Sequence, residues 1–440
     1  MLSDIVICGF VSQLIYVHQA ASSDSSNTQH FSFMMEPLTI AEDCAGLGTG
    51  TITLQRMAER LAKRNRHNAS EMVKSQQKSV SQFASLRGGT KKVRRPKIQP
   101  LKVKPVYFSE AEEPLRKFLK SRYAKAKIVE DAETGLSDKG NTLLGLDGQL
   151  DIYISGGCCQ PFSKMGLNNG QGDSRSDTTK TSVSFIAKRR PKLFILENVK
   201  NMLSKTHKQF FKETIVNRLR AITKYSRRHN RHVGLYRFHM RIYNSRDFGS
   251  PQRRERVIIV GVRKDATKFR RFTMPGPQLR RPKRILELLQ PARQESRISD
   301  GGLNYTEDRN WRKIQEEIAT INATGGNQVR FPIIADLQMS AKFGTSWQSC
   351  SCPTITRTRA RSRGFWLINR GPNGMNKRRL GVADYAALQG WDNGTMKNYL
   401  KIHSLSRQLS DAQLLAALGN GFSVSVFEAI FQNLLTSMGD

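Results

Sequence analysis

Three stretches of this 440-residue chain carry side chains that can do chemistry. GGCCQPFS, residues 156–163, sets a pair of thiols on the loop leaving the strand-like run DIYIS. The carboxyl edge of a parallel sheet is where open α/β folds build their sites, and a thiol there can serve as a nucleophile. A cysteine on such a loop is more often structural, so the reading needs partners. LFILENV supplies one, because Glu197 stands at the carboxyl end of a second apolar run, where an acid is costly unless it has a task. SPQRRERVIIVG supplies Arg254 and Arg256 at the entry to a third. Singly, each charge could be an ordinary surface group. Together they set a thiol, a carboxylate and two guanidinium groups at the ends of strand-like runs.

The elements that must position these groups are legible from periodicity and punctuation. From Leu38 the run LTIAEDCAGLGTG begins as a strand and ends in a glycine-rich turn, where Gly46 and Gly48 permit close backbone approach. Such a turn is a weak signal alone. Further strand-like runs recur at VYFSE (106–110), KIVED (127–131), DIYISGG (151–157), LFILEN (193–198) and RVIIVGV (256–262). Between them Leu115, Phe118, Leu119 and Tyr123 fall at helical spacing behind Pro114, which suits a helix's first turn. Strands alternating with helices predict an α/β fold with an open, mostly parallel, Rossmann-like sheet covered on both faces.

The main domain is drawn at residues 35–270, after a disordered extension at 1–34. Within it, residues 60–104 break the rhythm with fourteen Lys or Arg against a single acid, Glu71. This reads as an insertion, either a solvated disordered loop or a nucleic-acid-binding arm. After Arg263 the rhythm stops, which sets off a smaller domain at 271–385. Residues 386–440 then return to the sheet, with Val426, Phe427, Ile430, Phe431, Leu434, Leu435 and Met438 forming one apolar stripe.

Lys and Arg total 72 against 36 Asp and Glu, a formal charge of +36, which points to a polyanionic partner such as nucleic acid. Charge alone does not separate that from a basic solvated surface. The six cysteines, Cys8, Cys44, Cys158, Cys159, Cys350 and Cys352, have no paired CxxC spacing, so neither a metal site nor a disulfide framework is expected. No apolar run reaches the ~18 residues of a membrane span. The apolar stretch at 5–21 has Asp4 in place of a basic leader and is broken by Ser12, Gln13 and His18, so secretion is not expected.

Taken in order, GCCQPFS, ENV and QRRER resemble the DNA cytosine-C5 methyltransferase family, and the resemblance runs from about Leu38 to the chain end. AEDCAGLGTG is similar to the family's first cofactor motif, Ser109-Glu110 to the second, Glu130-Asp131 to the third, and GDSRS around Arg175 to the loop motif behind the nucleophile. NSRDFGSPQ leads into QRRER. SCPTITR with RRLGVADYAALQGW resembles the ninth motif, and ALGNGFSVSV, centred on Asn420, the tenth.

The resemblance implies S-adenosylmethionine as cofactor, held by Cys44, Gly46, Leu47, Gly48, Glu110, Asp131 and Asn420, with Glu110 toward the ribose hydroxyls and Asp131 toward the adenine amine. It implies double-stranded DNA as partner, contacted by Gln160, Ser163, Arg175, Asn198 and Gln252, with no metal and a monomeric protein. For catalysis it implies Cys159 attacking cytosine C6, Glu197 on N3 and the exocyclic amine, and Arg254 and Arg256 holding base and phosphate. The base would be flipped out of the duplex, with residues 160–177 as a lid and 271–385 as a target-recognition domain.

This chain departs from the pattern at Cys158, in place of the usual proline, and at Thr49, Ala111 and Ser176. Two other readings share much of the set. The tRNA-modifying branch has a Cys-Phe-Thr signature that is absent between residues 263 and 370. A catalytically inactive DNA-binding homologue need not keep Cys159, Glu197, Arg254 and Arg256 together. The expected location is the nucleus in a eukaryotic source and the cytoplasm in a prokaryotic one.

Overall fold

A computed structural model describes residues 36–84, 101–136, 150–157, 162, 177–278, 283–289, 302–324, 328–372, 374–391 and 409–438. The expected extension at 1–34 lies outside them.

Strands β1 (Leu38–Asp43), β2 (Val103–Ser109), β3 (Lys127–Val129), β4 (Ile152–Ser155) and β5 (Leu193–Val199) run parallel. β6 (Thr223–Ser226) and β7 (Arg231–Gly234) form a separate hairpin. β8 (Tyr236–Asn244) and β9 (Glu255–Arg263) join the main sheet antiparallel, giving the order β3-β2-β1-β4-β5-β9-β8. The direction of chain travel across the sheet reverses between β1 and β4, and the crevice at such a switch is where these sheets take ligands.

Both faces are covered, which is why β4 and β5 read as unbroken apolar runs. Side chains alternate between the faces. Ile152 and Ile154 meet Leu54 of helix α1 (Thr49–Ala84) and Phe427 and Ile430 of the C-terminal helix Val424–Ser437. Tyr153 and Phe194 face the other way, toward Phe185 and Ile186 of α3 (Asp177–Arg189). The helix predicted behind Pro114 is α2 (Glu113–Arg122), with Leu115, Phe118 and Leu119 buried. Beyond α3, Lys208–Phe210, the π-wound Phe211–Asn217 and Arg218–Arg220 make a continuous α4.

The basic insertion departs from its expectation. As far as Ala84 it is a continuation of α1, a 36-residue helix, and not a disordered loop. The reason is local propensity: after Gly50 this stretch has neither Gly nor Pro, and Ala, Leu, Lys, Arg, Gln and Glu are good helix formers whatever their charge. Residues 85–100 lie outside the described set.

The smaller unit holds α5 (Tyr305–Ala323), started by a reciprocal cap between Asn304 and Glu307, and an antiparallel sheet of β10 (Ile333–Asp336), β11 (Trp347–Ser349), β12 (Phe365–Gly371) and β13 (Gly374–Arg379) in the order β11-β10-β12-β13. Its two faces have different neighbours. Ile333, Ala335, Trp366 and Ile368 pack under Trp311 and Ile314 of α5. Ile334, Phe365 and Leu367 join the core that contains Leu47, Phe108 and Phe118 of the main domain. Helices α6 (Val382–Leu388), α7 (Asp411–Asn420) and α8 (Val424–Ser437) complete the chain. The boundary drawn after residue 385 falls inside α6, whose Tyr385 and Leu388 share that same core, so the return begins with the helix and not behind it.

Candidate active site

The glycine turn hangs on the end of β2. Three successive N–H groups donate there: Cys44 to Ser109 Oγ at 3.4 Å, Ala45 to the Ser109 carbonyl at 3.0 Å and Gly46 to Glu110 Oε2 at 2.7 Å. The turn needs positive φ at Cys44 (53°), Gly46 (55°) and Gly48 (69°), which explains glycine at two of the positions. A Cβ on Gly46 would meet nothing within 4 Å, so this backbone borders open space. Leu47 turns into the core and offers only its backbone to that space. Thr49 is not among the residues with positive φ, so a glycine is not needed there. The close approach falls to Gly50, where a Cβ would come within 2.8 Å of Ile154.

Carboxylates gather at the ends of β1, β2 and β3. Glu110 also accepts the Glu112 N–H at 3.0 Å, and burial raises its pKa against the pull of these hydrogen bonds. Asp131 is exposed and accepts the Thr134 N–H at 2.7 Å. Two further acids of the same strand end, Glu42 and Asp43, were not among the expected site residues. Asp43 is fully buried, accepts Ser109 Oγ–H at 2.6 Å and the Tyr153 hydroxyl, and is pushed up to about 6, mainly by burial with Asp131 adding to it. Glu42 accepts the N–H of Gly50 (3.2 Å) and Thr51 (2.9 Å) at the start of α1, and burial pushes it to about 7. The desolvation argument applied to Glu197 would have found both, since they too are acids in an apolar strand. The C-terminal return closes this side. Asn420 is exposed at the end of α7, Gly421 lies against Thr49, and the Phe422 ring covers Gly156 so closely that a Cβ there would come within 2.8 Å of it.

At the next strand ends, Glu197 and Arg256 come together: Arg256 Nε lies 3.0 Å from Glu197 Oε1, with side-chain exposures of 13% and 9%. β9 runs antiparallel to β5, and its register sets Arg256 opposite Val199, two residues from the acid. Asn198 is buried and donates to the Gly157 carbonyl at 3.3 Å, which ties β5 to the loop that carries the cysteines. Ser155, Gly157, Thr179, Glu197 and Asn198 line a small cavity there. Cys159, Gln160, Ser163 and Arg175 lie outside the described residues.

Two expected substrate contacts have other employment. Arg254 is 3% exposed, and its guanidinium donates to the carbonyls of Ile355 (3.0 Å), Gly419 (3.4 Å) and Gly421 (2.9 Å). Gln252 is fully buried, accepting the Ile355 N–H at 3.1 Å and donating to Gln389 Oε1 at 3.1 Å. Each makes a buried seam between the sheet and the segments behind it. Spacing alone gave Arg254 and Arg256 the same role, whereas the structure directs only Arg256 to Glu197.

The space beside Gly46 has the Glu110 carboxylate at its edge, and Asp131 is exposed at the end of the next strand; acids so placed suit a cationic, hydroxyl-rich ligand, and the residues present fit S-adenosylmethionine, with its sulfonium, ammonium and ribose groups. Sheet and site together define an S-adenosylmethionine-dependent methyltransferase. The chain belongs to the family of C-5 cytosine-specific DNA methylases, whose model matches residues 77–436. The methyl donor of this family is S-adenosylmethionine. The chain is 28% identical over 363 residues to the type II methyltransferase M1.ScrFI of Lactococcus lactis subsp. cremoris, covering 81% of this chain and 78% of the relative. It is 26% identical over 290 residues to M.SsoII of Shigella sonnei, covering 66% of this chain and 64% of the relative. Among solved structures, the Entamoeba histolytica methyltransferase EhMeth superposes with a TM-score of 0.51 at 14% identity, over 91% of this chain and 98% of that one, a likeness of fold.

Proposed function

We propose that the protein methylates carbon 5 of cytosine in duplex DNA through a covalent adduct between Cys159 and a base turned out of the helix. The observation that carries this reading is the pairing of buried Glu197 with half-buried Arg256, 3.0 Å apart beside the strand end from which the cysteine loop departs. Cytosine C5 is a poor nucleophile. Addition of the Cys159 thiolate to C6 breaks the 5,6 double bond and makes C5 nucleophilic. Glu197, on N3 and the exocyclic amine, supplies the proton that neutralises charge arriving on the ring. Arg256 holds the Glu197 carboxyl and adds positive charge that favours thiolate over thiol. S-adenosylmethionine supplies an electrophilic, sulfonium-activated methyl when bound. After C5 is methylated, its proton leaves to a base and the Cys159 sulfur departs, restoring the double bond and the free thiol.

Glu110 and Asp131 would orient the cofactor through its ribose hydroxyls and adenine amine, with the backbone of Cys44, Gly46, Leu47 and Gly48 as cradle and Asn420 at its rim. Gln160, Ser163 and Arg175 would meet the DNA, and Asn198 would hold the loop that presents Cys159. Flipping the base costs a few kcal/mol, recovered from phosphate contacts that a charge of +36 makes available. The unit at residues 271–385 would read the target, and the protein would act as a monomer; relatives in Lactococcus lactis and Shigella sonnei favour a bacterial type of enzyme, acting in the cytoplasm.

The test is transfer of labelled methyl groups to duplex DNA and, separately, to tRNA, with bisulfite sequencing of the product. Label on cytosines of DNA is expected. Label on tRNA alone, or on neither, overturns the reading.

A further inference from the structure

The hairpin β6–β7 is not used by the site described above, and its composition is unusual even for so basic a chain. Residues 214–246 hold nine Lys or Arg and no acid. Arg227 and Arg228 occupy the turn, Arg231 opens β7, and all three are exposed. Among the described residues no carboxylate pairs with any of the three, whereas Lys224 at the base of the hairpin is held by Asp265 at 3.2 Å. Tyr225 is 53% exposed and lies across from His232 with ring centroids 5.7 Å apart, which sets an aromatic surface among the cations. Arg218 and Arg220 at the end of α4 and Lys264 behind β9 add exposed cations nearby.

The sheet register fixes where this patch sits. Tyr236, two residues beyond the hairpin, pairs with Arg263, and the Arg263 N–H bonds the Lys192 carbonyl at the amino end of β5. Arg256 and Glu197 lie at the opposite end of the same strands. Seven residues of β9 separate Arg256 from Arg263, roughly 23 Å at about 3.3 Å per residue. A straight duplex lying on the catalytic edge therefore does not reach the hairpin.

We propose that this hairpin is a second nucleic-acid-binding surface that holds a separate duplex segment through its phosphates while the catalytic edge engages its target. The inference rests on the reading of DNA as substrate. Duplex DNA is then the polyanion always at hand, and exposed arginines without acidic neighbours, interleaved with an aromatic, suit its backbone without reading its sequence. Such a site lets the protein bridge two segments, or pass from one to another without release.

The experiment uses the full chain with two short duplexes, one carrying a fluorescent donor and one an acceptor. Energy transfer between them on adding protein reports bridging, and methyl transfer to a single short duplex is measured in parallel. The parent should bridge. Arg227→Gln/Arg228→Gln/Arg231→Gln should lose bridging while methylating one short duplex at the parental rate, and the corresponding triple Lys variant should keep both activities. The salt dependence of second-duplex binding should flatten by ~2.7 in log–log slope, about 0.9 for each lost phosphate contact. Equal bridging by parent and triple Gln variant overturns the proposal, as does equal loss of bridging and single-duplex affinity, which would make the hairpin part of the catalytic footprint. So does hairpin-dependent capture by phosphatidylglycerol vesicles without bridging, which would point to a lipid surface. If the parent bridges in a hairpin-dependent way yet methylates no DNA, the hairpin stands and the enzymatic reading fails.

Discussion

Arg254→Met separates bracing from catalysis within one motif. The substitution keeps the bulk of the side chain and removes the guanidinium that reaches Ile355, Gly419 and Gly421. Two of these bonds are short, at 3.0 and 2.9 Å, and the third is marginal at 3.4 Å. With about 1.5–3 kcal/mol for each hydrogen bond from a charged donor, the short pair alone gives a loss of about 3–6 kcal/mol. At about 2.1 cal/mol/K per residue, in a chain of 440 residues that unfolds as one unit this is a fall in melting temperature of roughly 3–7 °C. Because Gly421 lies against Thr49 and its neighbour Phe422 covers Gly156, loosening this seam should also weaken cofactor binding. Scanning calorimetry gives the first quantity and titration calorimetry with S-adenosylmethionine the second. A variant that melts and binds cofactor like the parent but has lost turnover would refute the reasoning and return Arg254 to the substrate.

Glu42→Gln should flatten the dependence of stability on pH. Burial raises this acid from 4.5 to about 7, so the folded chain holds its proton more tightly than the unfolded one; the stabilisation is complete below pH 4.5 and is lost as pH rises toward 7. The span corresponds to ~3 kcal/mol at about 1.4 kcal/mol per unit, and thermal melts of parent and variant across that window should diverge; parallel curves would count against it. Glu110→Gln should weaken cofactor affinity by about tenfold or more while leaving DNA binding near the parental value, since this carboxylate organises Gly46 and is proposed to meet the ribose hydroxyls; unchanged calorimetric affinity would remove Glu110 from the pocket. Cys159→Ala should lose both methylation and the covalent complex with 5-fluorocytosine DNA, whereas Cys158→Pro should keep them and gain ~0.4–1 kcal/mol of stability if the backbone already suits proline. A denaturing gel that traps Cys159→Ala but not Cys158→Ala would mean the other sulfur attacks.

Most of the sheet was legible because buried parallel strands write themselves as apolar runs, and all six runs read from the sequence became strands. β8 was not, since at the edge of the sheet YRFHMRIYN alternates cations with half-exposed apolar residues and carries no continuous signal. Charge misled twice. It made the extension of α1 look disordered, although helix propensity is indifferent to the sign of a side chain. It also made Arg254 and Arg256 look alike, although only three-dimensional register decides which guanidinium meets Glu197 and which is consumed by backbone carbonyls. The buried partners of Gln252 were hidden for the same reason: a polar residue in a motif is visible in sequence, but the Ile355 and Gln389 groups that satisfy it are more than one hundred residues away.

If the small unit reads the target as proposed, the divided loyalties of its sheet limit how target choice can change. Ile334, Phe365 and Leu367, with Leu380 just past β13, face the main domain, and burying such side chains contributes about 1.5–3 kcal/mol each. Four of them amount to ~6–12 kcal/mol, comparable to the whole stability of an ordinary domain. A recognition unit grafted from a relative would have to reproduce this mating surface or strand it in water, so transplantation of the entire unit should fail where exchange of its surface loops succeeds. The unit is thus a fixed chassis, and a change of specificity within it would have to be written on the loops at its outer rim.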